Sequence, residues 1–326
     1  MEELNTLEVL TVTMNPALDR EFFVDDFEIN KLHRIFDLSR MDMTPGGKGI
    51  NVSMALANFN VKSVALGVLA GYTGRVIEEE LRKYSSLITT NFVHTDGESR
   101  ENITIVDEKN HTITEINAPG PVLDDESIEQ FFRRYLMTLS RVSYVVISGT
   151  VPPGIPLDFY RKLSKAATDK GKTVLMEARG QLLTNAVLSD SCPKIVKPDL
   201  RAEKKCLGKE LNTLEDYIDM SKTILENGAE LVILSYEIIK DVVATREGIW
   251  LLDTLQDVDI SHVLGTGDTY VAAILYYLLR RNKNMFEASR FGYTAAVSKL
   301  KYSKKIFPTI EDIESIRDKI KVERIA

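Results

Sequence analysis

Residues 257–278 read "DVDISHVLGTGDTYVAAILYYL", with Gly265, Thr266 and Gly267 directly ahead of Asp268 and an apolar or aromatic run from Tyr270 to Leu279. A Gly-rich turn feeding an apolar helix is a common joint, and an acid in the first helical turn suits the positive end of the helix dipole. A sharper reading gives the turn a task. Its unpaired N–H groups aim at an anion while the Asp268 carboxylate takes a proton from a nucleophile. The surrounding chain has to decide between the two.

Short runs rich in Val, Ile and Leu occur at 8–14, 63–70, 142–148, 173–178, 194–196 and 230–235, and segments of helical period lie at 50–59, 73–84, 126–139, 157–170 and 213–227. This alternation predicts an α/β fold with a mostly parallel central sheet covered on both faces, and active residues beyond the carboxyl ends of the strands. Two regions break the pattern, 20–42 and 89–117, the second with β-rich runs flanking the turn-like "DEKN" at 107–110. Both read as antiparallel strands outside the main sheet, either a small lid over the cleft or a decorative hairpin. With no long linker or repeat, residues 1–326 read as one domain carrying an inserted lid.

At 326 residues the chain can bury a sizeable core, and its 44% hydrophobic and 27% charged residues describe a folded protein. A net charge of -7 gives no reason to expect nucleic acid or an acidic membrane as partner. Cys192 and Cys206 form no C-x-x-C pair, and the four histidines are scattered, so neither disulfides nor a zinc site is expected, and a reducing cytoplasm fits best. The start "MEELNTLEVL" lacks the basic and apolar regions of a signal peptide, and the 270–279 run is about half a bilayer span.

A second Gly-rich stretch, "TPGGKGINVSMALANF" at 44–59, sets Lys48 among Gly46, Gly47 and Gly49 at the start of a helical segment. It suits an anion but is not a Walker A loop, since Gly49 stands where Ser or Thr belongs; alone it reads as a simple loop. "NPALD" at 15–19 follows the first strand and puts Asp19 where a polar ligand would meet it; a Pro turn with a solvated acid is the bland alternative. "GESREN" at 97–102 offers Arg100, whose planar fork suits phosphate, against the alternative of an ordinary surface arginine.

With "TMNPALDREFFV", "TPGGKGINVSMAL", "GYTGRVIEEEL", "ESRENITIVD", "TEINAPGP", "VISGTVPPGIPLDFY" and "LGTGDTYVAAIL" in this order, the chain resembles the ribokinase-like (PfkB) sugar kinases over nearly its whole length. Within them it looks most like the 1-phosphofructokinases and tagatose-6-phosphate kinases. The resemblance implies a three-layer α/β/α domain with a β-sheet lid, and ATP with Mg2+ meeting a phosphorylated ketohexose between them. It also implies a task for each motif. Gly265, Thr266, Gly267 and Asp268 would form an anion hole for the transferred group, with Asp268 the general base. Asp19, Gly46, Gly47, Asn51 and Asn117 would line the sugar pocket, Lys48 and Arg100 would hold the substrate's own phosphate, and Lys197 and Ser235 would lie along the nucleotide.

Three departures fall on the nucleotide side. The family's N-x-x-E motif after "KP" is replaced by Asp199 and Ala202, with Glu203 one residue late, which leaves Asp199 and Glu203 as the candidate metal carboxylates. Tyr236, Glu237, Ile238, Ile239 and Lys240 replace a small Gly-containing segment, and "MEARG" at 176–180 puts Glu177 where an aspartate is usual. The leading expectation is an ATP-dependent kinase turning fructose 1-phosphate into fructose 1,6-bisphosphate. Tagatose 6-phosphate, fructose 6-phosphate and a catalytically weak sugar-phosphate-binding protein are the alternatives. An uncovered apolar lid face, with Phe22, Val24, Ile103 and Ile105, would favour a homodimer through the lid.

Overall fold

The computed structural model describes residues 7–201, 203–255, 258–259, 262–302 and 304–326. The first half of the chain forms β1 (Val9–Thr13), β2 (Ala17–Phe23), β3 (Met41–Gly46), α1 (Lys48–Asn58), β4 (Ser63–Ala70), α2 (Gly71–Tyr84), β5 (Ile88–Thr90), β6 (Val93–Thr95), β7 (Arg100–Asp107), β8 (Thr112–Asn117), α3 (Asp125–Leu139) and β9 (Tyr144–Ser148). There follow α4 (Phe159–Thr168), β10 (Thr173–Glu177), α5 (Gly180–Val187), β11 (Ile195–Val196), β12 (Lys205–Cys206), β13 (Lys209–Glu210) and α6 (Leu214–Glu226). The last third forms β14 (Leu231–Glu237), β15 (Lys240–Thr245), β16 (Gly248–Thr254), α7 (Thr266–Arg280), α8 (Met285–Lys299), α9 (Ile310–Glu314) and β17 (Ile320–Arg324).

The central sheet runs β17-β16-β15-β14-β11-β10-β9-β1-β4-β5, with β6 also on β4. From β14 through β4 to β5 and β6 every pairing is parallel. Successive side chains of β1 point to opposite faces: Leu10 and Val12 pack with Phe131, Tyr160 and Ile224 of α3, α4 and α6, while Val9 packs with Ile50, Ile274 and Phe291 of α1, α7 and α8. All eight residues of β4 are buried, as a strand covered on both faces requires. This is the α/β/α sandwich expected from the strand and helix alternation. Local chemistry sets the helix starts: Asp124 accepts the Ser127 N–H ahead of α3, and Thr213 with Asp216 forms a reciprocal cap on α6.

Residues 240–254 and 320–324 carry an extension that the hydrophobic runs did not reveal. β15, β16 and β17 join β14 as an antiparallel edge. There Trp250 pairs with Arg324 across β16 and β17, stacks on Phe286 of α8 with ring centroids 4.1 Å apart, and lies under the Arg324 guanidinium.

The lid is a four-stranded sheet in the order β3-β2-β7-β8, and it corrects three expectations. Its strands in the first region are Ala17–Phe23 and Met41–Gly46, whereas 24–40 carries no strand. Residues 88–95 belong to the central sheet, because β5 and β6 pair in parallel with β4. The lid is also mixed: β2 pairs antiparallel with β3 but parallel with β7, since the intervening chain returns through the core before β7 begins. Cys192 and Cys206 are free and buried. No described helix is long and apolar enough to cross a membrane.

Candidate active site

Two clefts, of about 660 and about 420 Å³, open beyond the carboxyl ends of β1, β9, β10 and β11. Six residues line both: Lys48, Glu177, Asp199, Arg201, Gly265 and Asp268. The junction is built by two helix starts. Gly265 caps α7 at φ 79°, a left-handed conformation that a side chain would strain, and starts the helix at the junction; the Thr266 N–H is used within the turn, on the Val263 carbonyl at 3.2 Å. Gly47 likewise starts α1 at φ 108°, where a Cβ would also lie only 2.6 Å from Thr13 Cγ2.

Asp268 is 6% exposed. Its Oδ2 accepts a 2.8 Å hydrogen bond from Asn51 Nδ2, and its Oδ1 has no protein partner. Burial pushes its carboxyl above the ordinary range, against the pull of Lys48. A buried carboxylate with one free oxygen and a raised pKa is suited to accept a proton.

Around it runs a chain of charges. Glu177 Oε1 accepts from Lys48 Nζ at 3.1 Å and from Lys197 Nζ at 3.0 Å, while its Oε2 is buried without a partner. Burial would raise the Glu177 carboxyl, but the two lysines outweigh it and hold it down. Lys48 also lies 3.4 Å from Asp199 Oδ2, and Arg201 reaches Asp199 Oδ1 at 3.2 Å. Burial acts upward on Asp199 as well, yet these cations hold it well below the carboxylate range.

The first cleft holds Asp19, Gly47, Asn51, Arg100 and Asn117 of the residues singled out from sequence. Asp19 is fixed from both sides, accepting from Asn102 Nδ2 at 2.8 Å and from Lys305 Nζ at 2.6 Å. Gly46 lines neither cleft but lies under Asp19: a Cβ there would sit 2.1 Å from Asp19 Oδ2. Arg100 donates to the carbonyls of Asn15 and Ala118, both at 3.2 Å. Lys48 is therefore committed to the junction, paired with acids there, while Arg100 is anchored at the lid. Both cations line the first cleft.

Six acceptor atoms of this cleft's lining are buried without hydrogen bonds: Asn15 Oδ1, Glu21 Oε2, Asn51 Oδ1 and Asn102 Oδ1, besides Glu177 Oε2 and Asp268 Oδ1 at the junction. Each such atom costs about 1–3 kcal/mol if nothing donates to it, so the cleft suits a ligand that brings donors such as hydroxyls.

The second cleft is lined by Lys197, Ser235, Thr266 and Gly267, and by the bulky Tyr236, Ile238 and Ile239 of the β14–β15 hairpin. The hairpin is held by the Tyr293 hydroxyl on the Ile239 carbonyl and by Lys204 Nζ on the Tyr236 carbonyl. Its walls are apolar, and at its inner end Lys48, Lys197 and Arg201 meet Glu177, Asp199, Asp241 and Asp268. The pairing of Asp199 with Glu203 as metal carboxylates is not supported: Glu203 is exposed and lines neither cleft, Asp199 is occupied by cations, and Ala202 lies outside the described residues. No three His, Cys, Asp or Glu residues converge to hold a metal among the described residues. At the junction Glu177 Oε2 and Asp268 Oδ1 are both buried carboxylate oxygens without a protein partner, and a Mg2+ bound there would take oxygen ligands of this kind.

The sequence model of the pfkB carbohydrate kinases matches residues 16–312, which takes in both clefts' glycine turns and the lid. The chain belongs to the pfkB family of carbohydrate kinases. The kinase is 30% identical to the 1-phosphofructokinase of Bacillus subtilis (strain 168), over 97% of this chain and 100% of that protein. A solved Thermotoga maritima structure, described as a "Possible 1-phosphofructokinase", shares 47% identity and superposes with a TM-score of 0.95, covering 98% of this chain and 100% of that one. Thermotoga maritima ribokinase, at 18% identity and a TM-score of 0.72 over 96% and 99% of the two chains, shows the shared fold.

Sequence reasoning missed four residues of the kinase's site. Asn102 was legible, since it stands two positions from Arg100 on one strand and so shares its face. Arg201 lies between Asp199 and Glu203, where the departure from N-x-x-E points to the missing acid and nothing local points to an arginine. Glu21 was one strand period beyond Asp19. Lys305 carried no local signal, as it reaches Asp19 across 286 positions of sequence.

Proposed function

We propose that this kinase transfers the γ-phosphoryl group of ATP to a phosphorylated ketohexose, with fructose 1-phosphate giving fructose 1,6-bisphosphate. The observation that carries the reading is the buried Asp268 with one free oxygen, placed where a cleft of unpartnered hydroxyl acceptors meets the N-terminus of α7. A protein that only bound sugar phosphate would have no use for a base there. The relatives' names supply the sugar class, and fructose 6-phosphate and tagatose 6-phosphate are the competitors. Residues 1–326 are taken as one kinase unit with its lid.

In this scheme Asp19, Asn51, Asn102 and Asn117 receive the sugar hydroxyls, and Arg100 takes the phosphate already present. The free hydroxyl gives its proton to Asp268 Oδ1, its oxygen forms the new bond to phosphorus, and the bond to the departing ADP breaks. The N–H groups of Gly265, Gly267 and Asp268 stabilise the charge that spreads over the transferring oxygens, while that of Thr266, bonded to the Val263 carbonyl, holds the turn. Lys48 and Lys197 add positive charge at the junction, held in place by Glu177. Mg2+, when bound with ATP, neutralises phosphate charge. The base of the nucleotide lies against Tyr236, Ile238 and Ile239, and Ser235 along its polar part.

The test is product formation from each of the three sugar phosphates with ATP and Mg2+, with Asp268→Asn as control. Rapid Asp268-dependent conversion of fructose 1-phosphate is expected, and preference for another of the three would reassign the substrate. Binding of sugar phosphate without turnover of any would overturn the kinase mechanism. We also propose that the lid face pairs two copies. Phe22, Ile103 and Ile105 are only half-buried on one face, flanked by Met41, Met43 and Ile116, each more than a third exposed. Light scattering that found only monomer at working concentration would end that proposal.

A further inference from the structure

Directly behind the turn that carries Asp268 lies a charged side chain with no task in the scheme above. Lys299, the last residue of α8, is 1% exposed. Its Nζ donates to the carbonyl oxygens of Tyr302 and Lys304, each at 3.0 Å. Its Cε lies 3.7 Å from the position that a Cβ on Gly265 would take, so the stem packs against the left-handed residue that opens α7. A buried ammonium without strong partners is costly, and such a group persists where its charge or its hydrogen bonds serve a purpose.

The segment gathered by Lys299 is tied to both halves of the site. At one end His262, in the turn before Gly265, bonds the Leu300 carbonyl through Nδ1 at 2.9 Å. At the other, Lys305 reaches Asp19 Oδ2 and the Pro45 carbonyl at 2.9 Å, which places it under the first cleft. The charged groups facing Lys299 are Glu21 of β2, which favours the ammonium, and Lys305, which opposes it. Burial dominates and pushes the Lys299 ammonium down to about 8.

We propose that Lys299 is a positioning residue for phosphoryl transfer. By collecting the carbonyls of Tyr302 and Lys304, its ammonium clamps the segment after α8 between the Gly265 turn and Asp19. It also puts positive charge behind the N–H groups that face the transferred phosphoryl group. The inference rests on the reading of residues 265–268 as the transfer turn.

The experiment is a kcat profile from pH 6 to 10 for the wild-type chain and for Lys299→Met, which keeps the stem and removes the charge. Asp268→Asn is run alongside. Wild-type turnover is expected to fall as pH rises through about 8, where the ammonium becomes an amine. Lys299→Met is expected to lose at least about tenfold in kcat at pH 7 with no limb near that pH, while KM for ATP stays within about threefold. Lys299→Ala should regain turnover with ammonium chloride but not with tetramethylammonium chloride at equal ionic strength. A flat wild-type profile through that region overturns the proposal even if the variants fail to fold. So does a Lys299→Met enzyme with wild-type kcat, or one that retains the limb, or an alanine variant indifferent to ammonium. Should Asp268→Asn remain active, the reading of the turn itself fails; if it is inactive and Lys299→Met behaves as wild type, the fault lies with Lys299 alone.

Discussion

Replacing Asp268 by asparagine isolates proton transfer from every other function of the site. The substitution keeps the side chain's shape at a position that is 6% exposed. It puts an amide where Asn51 Nδ2 now donates at 2.8 Å, but Asn51 Oδ1 is buried without a partner, so a half-turn of that amide restores a hydrogen bond between the two. Loss of the charge-assisted bond is offset by removal of a carboxylate whose burial already disfavours its ionised form. Stability should therefore change little, with Tm within about 3 °C of wild type. Turnover should not survive in the same way. A positioned general base contributes about 10²–10⁴-fold, which corresponds to about 2.7–5.4 kcal/mol of activation free energy. The assay is ADP release coupled to NADH oxidation, with calorimetry for Tm and for sugar-phosphate binding. A folded variant with kcat within about fivefold of wild type would refute the assignment of Asp268 as base.

Gly46→Ala puts a methyl group 2.1 Å from Asp19 Oδ2, displacing a carboxylate that Asn102 and Lys305 hold in place. KM for the sugar phosphate should rise at least about tenfold with KM for ATP unchanged; an unaltered sugar KM would mean that Asp19 does not touch sugar. Arg100→Ala should weaken sugar-phosphate binding by about 10- to 100-fold, the worth of a charged hydrogen-bonding partner, and should leave binding of the unphosphorylated sugar as it was. Equal losses for both ligands in calorimetry would remove Arg100 from the phosphate. Because Asp268 acts ionised and burial raises its pKa, wild-type turnover should decline as pH falls through a value above the ordinary aspartate range. An acid limb at the ordinary range or below would contradict that environment.

Much of the sandwich was legible because its strands are buried on both faces and therefore read as unbroken Val, Ile and Leu runs, as in β4 and β9. The edge formed by β15, β16 and β17 was not. Its residues mix charged and apolar types, and β17 joins from the far end of the chain. The lid's existence followed from alternating residues at 100–107 and 112–117, but its parallel β2–β7 pairing is a long-range choice with no local trace. Within the site, glycine turns announce themselves through spacing, so Gly47, Gly265 and Asp268 were found. Charge partners do not, because Glu177 binding both Lys48 and Lys197 is a property of two strand ends and a helix start brought together only by folding. The cation pairing of Asp199 shows the same limit: sequence supplied the carboxylate, and only the fold supplied what neutralises it.

The placement of the chain's single tryptophan has a spectroscopic consequence. Trp250 lines neither cleft, and its environment is set by Phe286 and Arg324 at the terminal edge of the central sheet. Intrinsic tryptophan emission should therefore be quiet when sugar or nucleotide is titrated in, and should respond instead when β17 peels from β16. The native chain thus carries a built-in optical reporter of edge fraying, and watching the lid by light would need a probe installed there.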